Sequence, residues 1–184
     1  MTGAPPPPTV DAAEFRSLMA RWPTGVSVVT ARDGPLDAGL TVNAFLSVSL
    51  TPPSVLVSLT RDADTAPVIE RTGRFAVNLL AADQREISER FARPVPSSEK
   101  FAGIAVHRGE SGIALLDRTL GALECRVVSH RREFDHLLFL GEVVRQEPGR
   151  EALPLVYYRS AYAEAEGTDR LHLLARPKPP ASRL

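Results

Sequence analysis

Cysteine is nearly absent from these 184 residues: Cys125 stands alone. No intrachain disulfide and no cysteine-rich metal site can be built from it, and a reducing cytoplasm suits such a chain. A basic surplus is missing as well, since Lys plus Arg and Asp plus Glu both number 22. Without one there is little of the counterion-release affinity on which nucleic-acid binding rests, so a nucleic-acid partner is not expected. No apolar run approaches the roughly 18 residues that cross a bilayer. The opening stretch, with Pro5 to Pro8, lacks the positive charge and apolar core of a signal peptide. A cytoplasmic, membrane-free protein is expected. The 12 glycines contain no G-x-G pair, which removes the dinucleotide fingerprint and the P-loop. H-E-x-x-H and G-x-S-x-G are absent too, and with them the common zinc-hydrolase and serine-nucleophile sites. His107, His130, His136 and His172 are scattered. His130 and His136, with Glu133 and Asp135 between them, lack a recognised ligand spacing, so no metal is expected.

What is present is ordinary for a globular protein: 43% apolar and 24% charged residues, enough chain for one domain with a core. Residues 1–10 read as a Pro-rich disordered arm, 11–165 as the folded domain, and 166–184 as a flexible extension. Asp11 is a plausible N-cap for a helix carrying Phe15, Leu18, Met19 and Trp22, which Pro23 stops. Val26 to Ala31 alternates as a strand. Leu40 to Leu50 reads as one long strand, Val42, Ala44, Leu46, Val48 and Leu50 facing the core and Thr41, Asn43, Phe45, Ser47 and Ser49 facing away. Strands are further predicted over Ser54–Thr60, Arg74–Leu79 and Leu155–Tyr158, with two β-rich runs between Leu120 and Val144. Short helices are predicted near Ala66–Arg71 and Asp83–Phe91. Trp22 and Cys125 read as buried. The few helices do not interleave with the strands, so the pattern points to a mainly β, antiparallel barrel with peripheral helices. No acid–base or nucleophilic set stands out. Such a chain can still be an enzyme if a cofactor carries the chemistry.

Several stretches, in order, resemble the flavin reductase family of FMN-binding split barrels. They are Pro23-Thr24-Gly25-Val26 with Val28-Val29-Thr30, then Thr41-Val42-Asn43-Ala44-Phe45 with Ser47-Val48-Ser49-Leu50 and Pro52-Pro53. Phe75-Ala76-Val77-Asn78-Leu79-Leu80, Arg90-Phe91-Ala92, Lys100-Phe101-Ala102-Gly103-Ile104 and Leu123-Glu124-Cys125 follow. Asp135-His136, Gly141-Glu142-Val143 and Tyr157-Tyr158-Arg159 complete the series, which spans roughly 14–162. The resemblance implies a six-stranded antiparallel Greek-key split barrel, usually a homodimer, holding FMN or FAD near the subunit interface. It also implies reduction of that flavin by NADH or NADPH, often to supply a separate flavin-dependent monooxygenase.

An isoalloxazine has apolar faces and a polar pyrimidine edge, so it suits hydroxyls, an amide and free N–H groups beside an apolar contact. Thr41, Asn43, Phe45, Ser47 and Ser49, with Ala44 and Val48 between them, offer that set; an ordinary strand with a polar outer face has the same pattern. Thr60, Arg61 and Thr65 are the candidates for the flavin phosphate, with Asp64 or Thr65 equally readable as a helix cap. The family places Ser, Asn or Arg where Asp62, Ala63 and Asp64 stand, and carboxylates there would repel a phosphate. Lys100 and Phe101 could cover the ring, or be a solvated charge and a core residue. His136 matches the family position that meets the nicotinamide, and Tyr158 and Arg159 could line the same cleft. Phe134 stands where the family has glycine, which puts the turn before His136 in question. That departure favours a rival reading, a flavin-binding electron-transfer module without nicotinamide turnover; the Asp62 and Asp64 departure favours a barrel without cofactor.

Overall fold

The computed structural model describes residues 10–163. All of the arm but its last residue, the exposed Val10, and the whole extension at 166–184 lie outside the described residues. Asp11 caps helix α1 (Ala12–Met19), its Oδ1 accepting from the Ala13 and Glu14 amides at 2.8 and 3.1 Å. The apolar stripe of α1 is covered by nothing in the described chain. Trp22, expected in the core, is 68% exposed, and Phe15, Leu18 and Met19 beside it are exposed too. Helical spacing marks which residues share a face, but it cannot say whether the same chain covers them.

The strands follow in order: β1 (Thr24–Gly25), β2 (Ser27–Asp33), β3 (Leu36–Val42), β4 (Phe45–Leu50) and β5 (Pro53–Thr60). Helix α2 (Thr65–Thr72), β6 (Arg74–Leu79), a 3₁₀ turn (Ala82–Gln84) and α3 (Arg85–Phe91) come next. Then come α4 (Ser97–Phe101), β7 (Val106–Arg108), β8 (Ala114–Leu116), β9 (Gly121–Glu133) and β10 (His136–Pro148). The described chain finishes with β11 (Val156–Tyr158) and β12 (Ala161–Ala163). All pairings between named strands are antiparallel, and the main sheet runs β3-β2-β6-β9-β10-β5-β4. It has seven strands rather than six. Two small sheets, β1-β11-β12 and β7-β8, flank it.

The extra strand comes from a break in the expected Leu40–Leu50 strand. Only Asn43 and Ala44 separate β3 from β4, yet these occupy opposite edges of the sheet. A two-residue link spans about 10 Å. Seven flat strands would hold their edges about 29 Å apart. The sheet therefore curls into an incompletely closed barrel, and the Ser58 amide donates to Ala44 O at 3.0 Å across the junction. The break also changes the faces. Val42 is buried and Phe45 packs on the barrel core, whereas Ala44, Leu46, Val48 and Leu50 are exposed, Leu50 by 85%.

Val29, Ala31, Val55, Val57, Leu59, Phe75, Val77, Cys125, Leu137 and Phe139 fill the barrel, and α2 contributes Ala66, Val68 and Ile69 to the same core. Gly141 is required here, because a Cβ on it would lie 2.6 Å from the Phe75 ring. Cys125 is buried as expected; burial, helped by the nearby Glu124 charge, pushes its thiol up to about 12. The hairpin between β9 and β10 turns on Phe134 and Asp135. Phe134 adopts φ 55, the left-handed conformation a glycine would take freely. The phenylalanine therefore keeps the glycine-type turn rather than changing it, contrary to what its side chain suggests.

Candidate functional site

Alternation along β5 and β10 assembles the site. Val57, Leu59, Leu137 and Phe139 point into the barrel, so Leu56, Ser58, Thr60, His136 and Leu138 point outward. Leu46, paired with Leu56, joins that outer face from β4. His136 stands opposite Thr60, and Leu138 opposite Ser58. His136 is therefore about 5 Å across the sheet and about 7 Å along it from Ser58.

Against this face lies a cavity of ≈ 780 Å³, closed by Trp22 and Met19 at the end of α1, by Pro23 to Val26, by Asn43 to Leu46, and by Leu79, Leu80 and Leu155. Its wall is largely apolar. The exceptions are informative. The Thr24 hydroxyl is buried with no hydrogen-bond partner. The Asn43 and Ser58 side chains, which also face the cavity, make no hydrogen bond to the protein. Buried polar groups in native proteins are nearly always paired, so an orphan beside a roomy cavity indicates a ligand that pairs it. A flat ring system with a polar edge, such as an isoalloxazine, fits this donor set and shape. Thr24 and Ser58 were not singled out by sequence; the motif Pro23-Thr24-Gly25-Val26 contained the first, and only the pairing of β5 with β10 reveals the second.

His136 is oriented by its neighbour: its Nδ1 bonds Asp135 Oδ1 at 2.8 Å. That bond lowers the Asp135 carboxyl below its ordinary value, with its own backbone amide and Arg61 contributing. A carboxylate only accepts, so Nδ1 is the donor in this bond and Nε2 is left without a partner among the described residues. The Arg61 amide donates to Asp135 O at 2.9 Å, which ties the end of β5 to the hairpin carrying His136. His130, by contrast, lies opposite Phe139 on the barrel-facing side and approaches Glu70 at 3.6 Å. The two histidines are on opposite faces.

The carboxylate at Asp64 does not face the site's open side. Its Oδ2 accepts from the Ser97 amide and hydroxyl at 3.0 and 2.7 Å, and Lys100 Nζ stands 3.7 Å from Oδ1. Lys100, read as a loop cation over the ring or a solvated charge, is instead 3% exposed and donates to Gly39 O at 3.2 Å. Its charge is spent on Asp64. Thr65 is fully buried and its hydroxyl donates to Asp64 at 3.4 Å. Thr60 and Arg61 remain exposed beside His136.

The remaining sequence candidates are dispersed. Thr41 Oγ1 donates to Ser88 O at 2.7 Å in a smaller niche with Asn43, Tyr157 and Tyr162. Ser47, Val48 and Ser49 lie beyond the cavity, Ser49 Oγ accepting from the Thr51 amide at 3.1 Å. Phe101 packs edge-on against Phe91 at 4.9 Å. Tyr158 and Arg159 belong to the small β1-β11-β12 sheet and the turn after it, against α1 rather than beside His136. The single row read along Leu40–Leu50 is thus replaced by Asn43, Ala44 and Phe45 with Thr24, Ser58, Thr60 and His136 from other segments.

A barrel of this topology with a cavity on its outer face agrees with what comparison finds. The flavin reductase like domain family matches residues 19–166, and the chain belongs to it. It is similar to the actinorhodin polyketide dimerase of Streptomyces coelicolor, 39% identical over 83% of this chain and 86% of that protein. It is also similar to the reductase component of a 4-nitrophenol 4-monooxygenase/4-nitrocatechol 2-monooxygenase of Rhodococcus opacus, 37% identical over 83% of this chain and 80% of the relative. Among solved structures, an NADH:FAD oxidoreductase of Streptomyces globisporus superposes with a TM-score of 0.80 at 31% identity. It covers 89% of this chain and all of its own; the same enzyme has been solved with NAD and FAD fragments.

Proposed function

We propose that the protein is an oxidoreductase that reduces FMN or FAD with NADH or NADPH and passes the reduced flavin to a separate monooxygenase. The observation that carries this reading is the unpaired Thr24 hydroxyl in a largely apolar cavity, on the same sheet face as His136. Bound flavin supplies the hydride-accepting ring. The chain's part is binding and alignment. Thr24, Asn43 and Ser58 pair the ring's polar edge, while Trp22, Leu46, Leu56 and Leu155 exclude water from its faces. Thr60 and Arg61, exposed beside His136 and outside the cavity lining, are the partners proposed for a phosphate, which the guanidinium would meet. His136 Nε2, free of protein partners, hydrogen-bonds the carboxamide of the nicotinamide, and Asp135 fixes the imidazole for that task. No side chain need gain or lose a proton during the transfer.

The apolar outer faces of α1 and β4 border the cavity, and a second copy of the chain is their proposed cover. The lone buried thiol and absence of disulfides suit the reducing cytoplasm, where reduced nicotinamide is abundant.

His136→Ala tests the assignment. Rapid mixing with NADH is expected to show flavin reduction slowed about tenfold to a hundredfold, with flavin affinity, from fluorescence quenching, changed by less than about threefold. An unaltered reduction rate would remove His136 from the reaction.

A further inference from the structure

Beside the flavin cavity is a separate niche of ≈ 210 Å³. Thr41 lines it from β3, Ser88 and Ala92 from α3 and its C-terminal cap, and Tyr157 and Tyr162 from β11 and β12. Val26 and Asn43 line both this niche and the flavin cavity, so they form the wall between the two. The two tyrosine rings meet edge to face, their centroids 5.5 Å apart at 70°.

The polar groups of the niche are only partly used by the chain. Thr41 Oγ1 donates to Ser88 O at 2.7 Å, so its hydrogen is spent and its lone pairs remain. Ser88 Oγ and Tyr162 OH share one hydrogen bond at 2.8 Å. Only one of them donates in it, so the pair keeps a hydrogen to give. The Asn43 amide and the Tyr157 hydroxyl bond to nothing in the described chain. The niche therefore presents donors and acceptors together. No lining residue carries a charge, and Arg85, 5.4 Å over the Tyr162 ring, does not line it.

We propose that this niche binds a small uncharged hydroxyaromatic molecule of the phenol class. Size sets the first limit. A cavity of about 150 Å³ already admits benzene, so this one holds a single six-membered ring with a substituent and excludes the three rings of an isoalloxazine. Charge sets the second. With no cation or carboxylate in the lining, a bound carboxylate, phosphate or ammonium would lose its water without a counter-charge. Hydrogen bonding sets the third. A phenolic O–H donates to a Thr41 lone pair and accepts from the Asn43 amide or the free hydroxyl hydrogen, whereas a bare ring leaves those groups unpaired. Asn43 then links the niche to the flavin cavity. Its carboxamide has a donor end and an acceptor end, so it can serve one ligand on each side, and a phenol holding one end fixes the amide that the flavin meets. Each ligand is expected to tighten the other by the same factor. That coupling rests on the flavin-reductase reading above; phenol binding itself does not.

Titration calorimetry of the full chain, first without FMN and then with FMN saturating, tests the niche. The probes are phenol, toluene, which lacks the hydroxyl, and benzoate, which adds a charge. Phenol is expected to bind about tenfold more tightly than either. Ala92→Leu, at an exposed position past the end of α3, fills the niche and is expected to abolish phenol binding while the melting temperature and FMN binding hold. Tyr162→Phe keeps the ring and drops only the hydroxyl, and is expected to weaken phenol about fivefold. Saturating FMN is expected to tighten phenol about threefold. Phenol binding that survives Ala92→Leu, that toluene matches or that FMN competes away overturns the proposal, as does adenosine binding there in place of phenol. Phenol and FMN binding with no mutual effect overturns the role given to Asn43. Phenol bound by a protein that reduces no flavin would sink the functional reading and leave this niche standing.

Discussion

Thr24 keeps a hydroxyl in a position where neither backbone nor side chain reaches it. An unpaired buried hydroxyl costs about 1–3 kcal/mol, and replacement by an apolar isostere recovers part of that. Thr24→Val is therefore expected to raise the stability of the ligand-free protein by about 0.5–1 kcal/mol in a urea melt, while weakening flavin binding several-fold. Lower stability of the ligand-free variant would mean that the hydroxyl is already paired. The sequence placed Thr24 inside a recognisable motif but could not assign it this role. Whether a hydroxyl is satisfied depends on which distant strands surround it, here β5 and the segment around Leu155. His136 was a candidate through the family position it matches, and the carboxylate that orients it, Asp135, lies beside it in the same motif. Lys100 was misread for the converse reason: its partners, Asp64 and the Gly39 carbonyl, are 36 and 61 residues away.

Elements were more legible than the way they join. The strand Arg74–Leu79 has the same ends in sequence and structure, and the Asp11 cap holds, because both depend on local alternation and local hydrogen bonds. The Leu40–Leu50 run kept its alternation through Asn43 and Ala44, so nothing local announced that the chain passes there from one sheet edge to the other. The β9–β10 hairpin gives a test at this scale. Phe134 is 93% exposed and left-handed, so its ring contributes no burial to offset the strained backbone. Phe134→Gly is expected to add about 0.5–1 kcal/mol once glycine's greater unfolded freedom is subtracted. Thermal melts should rise by about 1–3 °C. A fall would show that Phe134 packs against something outside the chain.

A second test concerns how β7 is fastened to the end of β10. His107 Nδ1 meets Asp117 at 2.8 Å and its Nε2 meets Glu147 at 3.0 Å. Both ring nitrogens must donate, so the imidazolium is favoured and its pKa is raised, by the Asp117 bond first and the Glu147 bond second. A raised folded pKa means that the contribution to stability is complete below about 6.5 and fades as pH climbs through the folded value. The site is nearly half exposed, so the effect is small. The melting temperature of the native protein should exceed that of His107→Gln most at mildly acidic pH, with the gap narrowing as pH rises. A gap that stays constant or widens with pH would show that His107 is not held as the cation.

For the whole molecule, the decisive feature is the amount of apolar surface left open. Phe15, Leu18, Met19 and Trp22 on and after α1, and Leu46, Val48 and Leu50 on β4, are all exposed. Scattered apolar residues on a surface need no explanation, but a helix whose whole stripe is bare does. α1 buries none of its residues, and so short a helix has little stability without packing. Both exposed groups meet at the cavity, where Met19, Trp22 and Leu46 form part of the wall. A second copy seated there would bury the stripe of α1, cover the free edge strand β4 and shut the flavin cavity from water, all through one interface. Dimerisation and flavin binding should then be coupled. Leu18→Glu, which lies outside the cavity lining, is expected to turn the proposed dimer into a monomer in light scattering and to lower flavin affinity about tenfold or more. In the unaltered protein, dilution below the dimer's dissociation constant should weaken flavin binding in step with the mass. A Leu18→Glu monomer that binds flavin as tightly as the native protein would show that each barrel completes its own site, and α1 would then need a different cover.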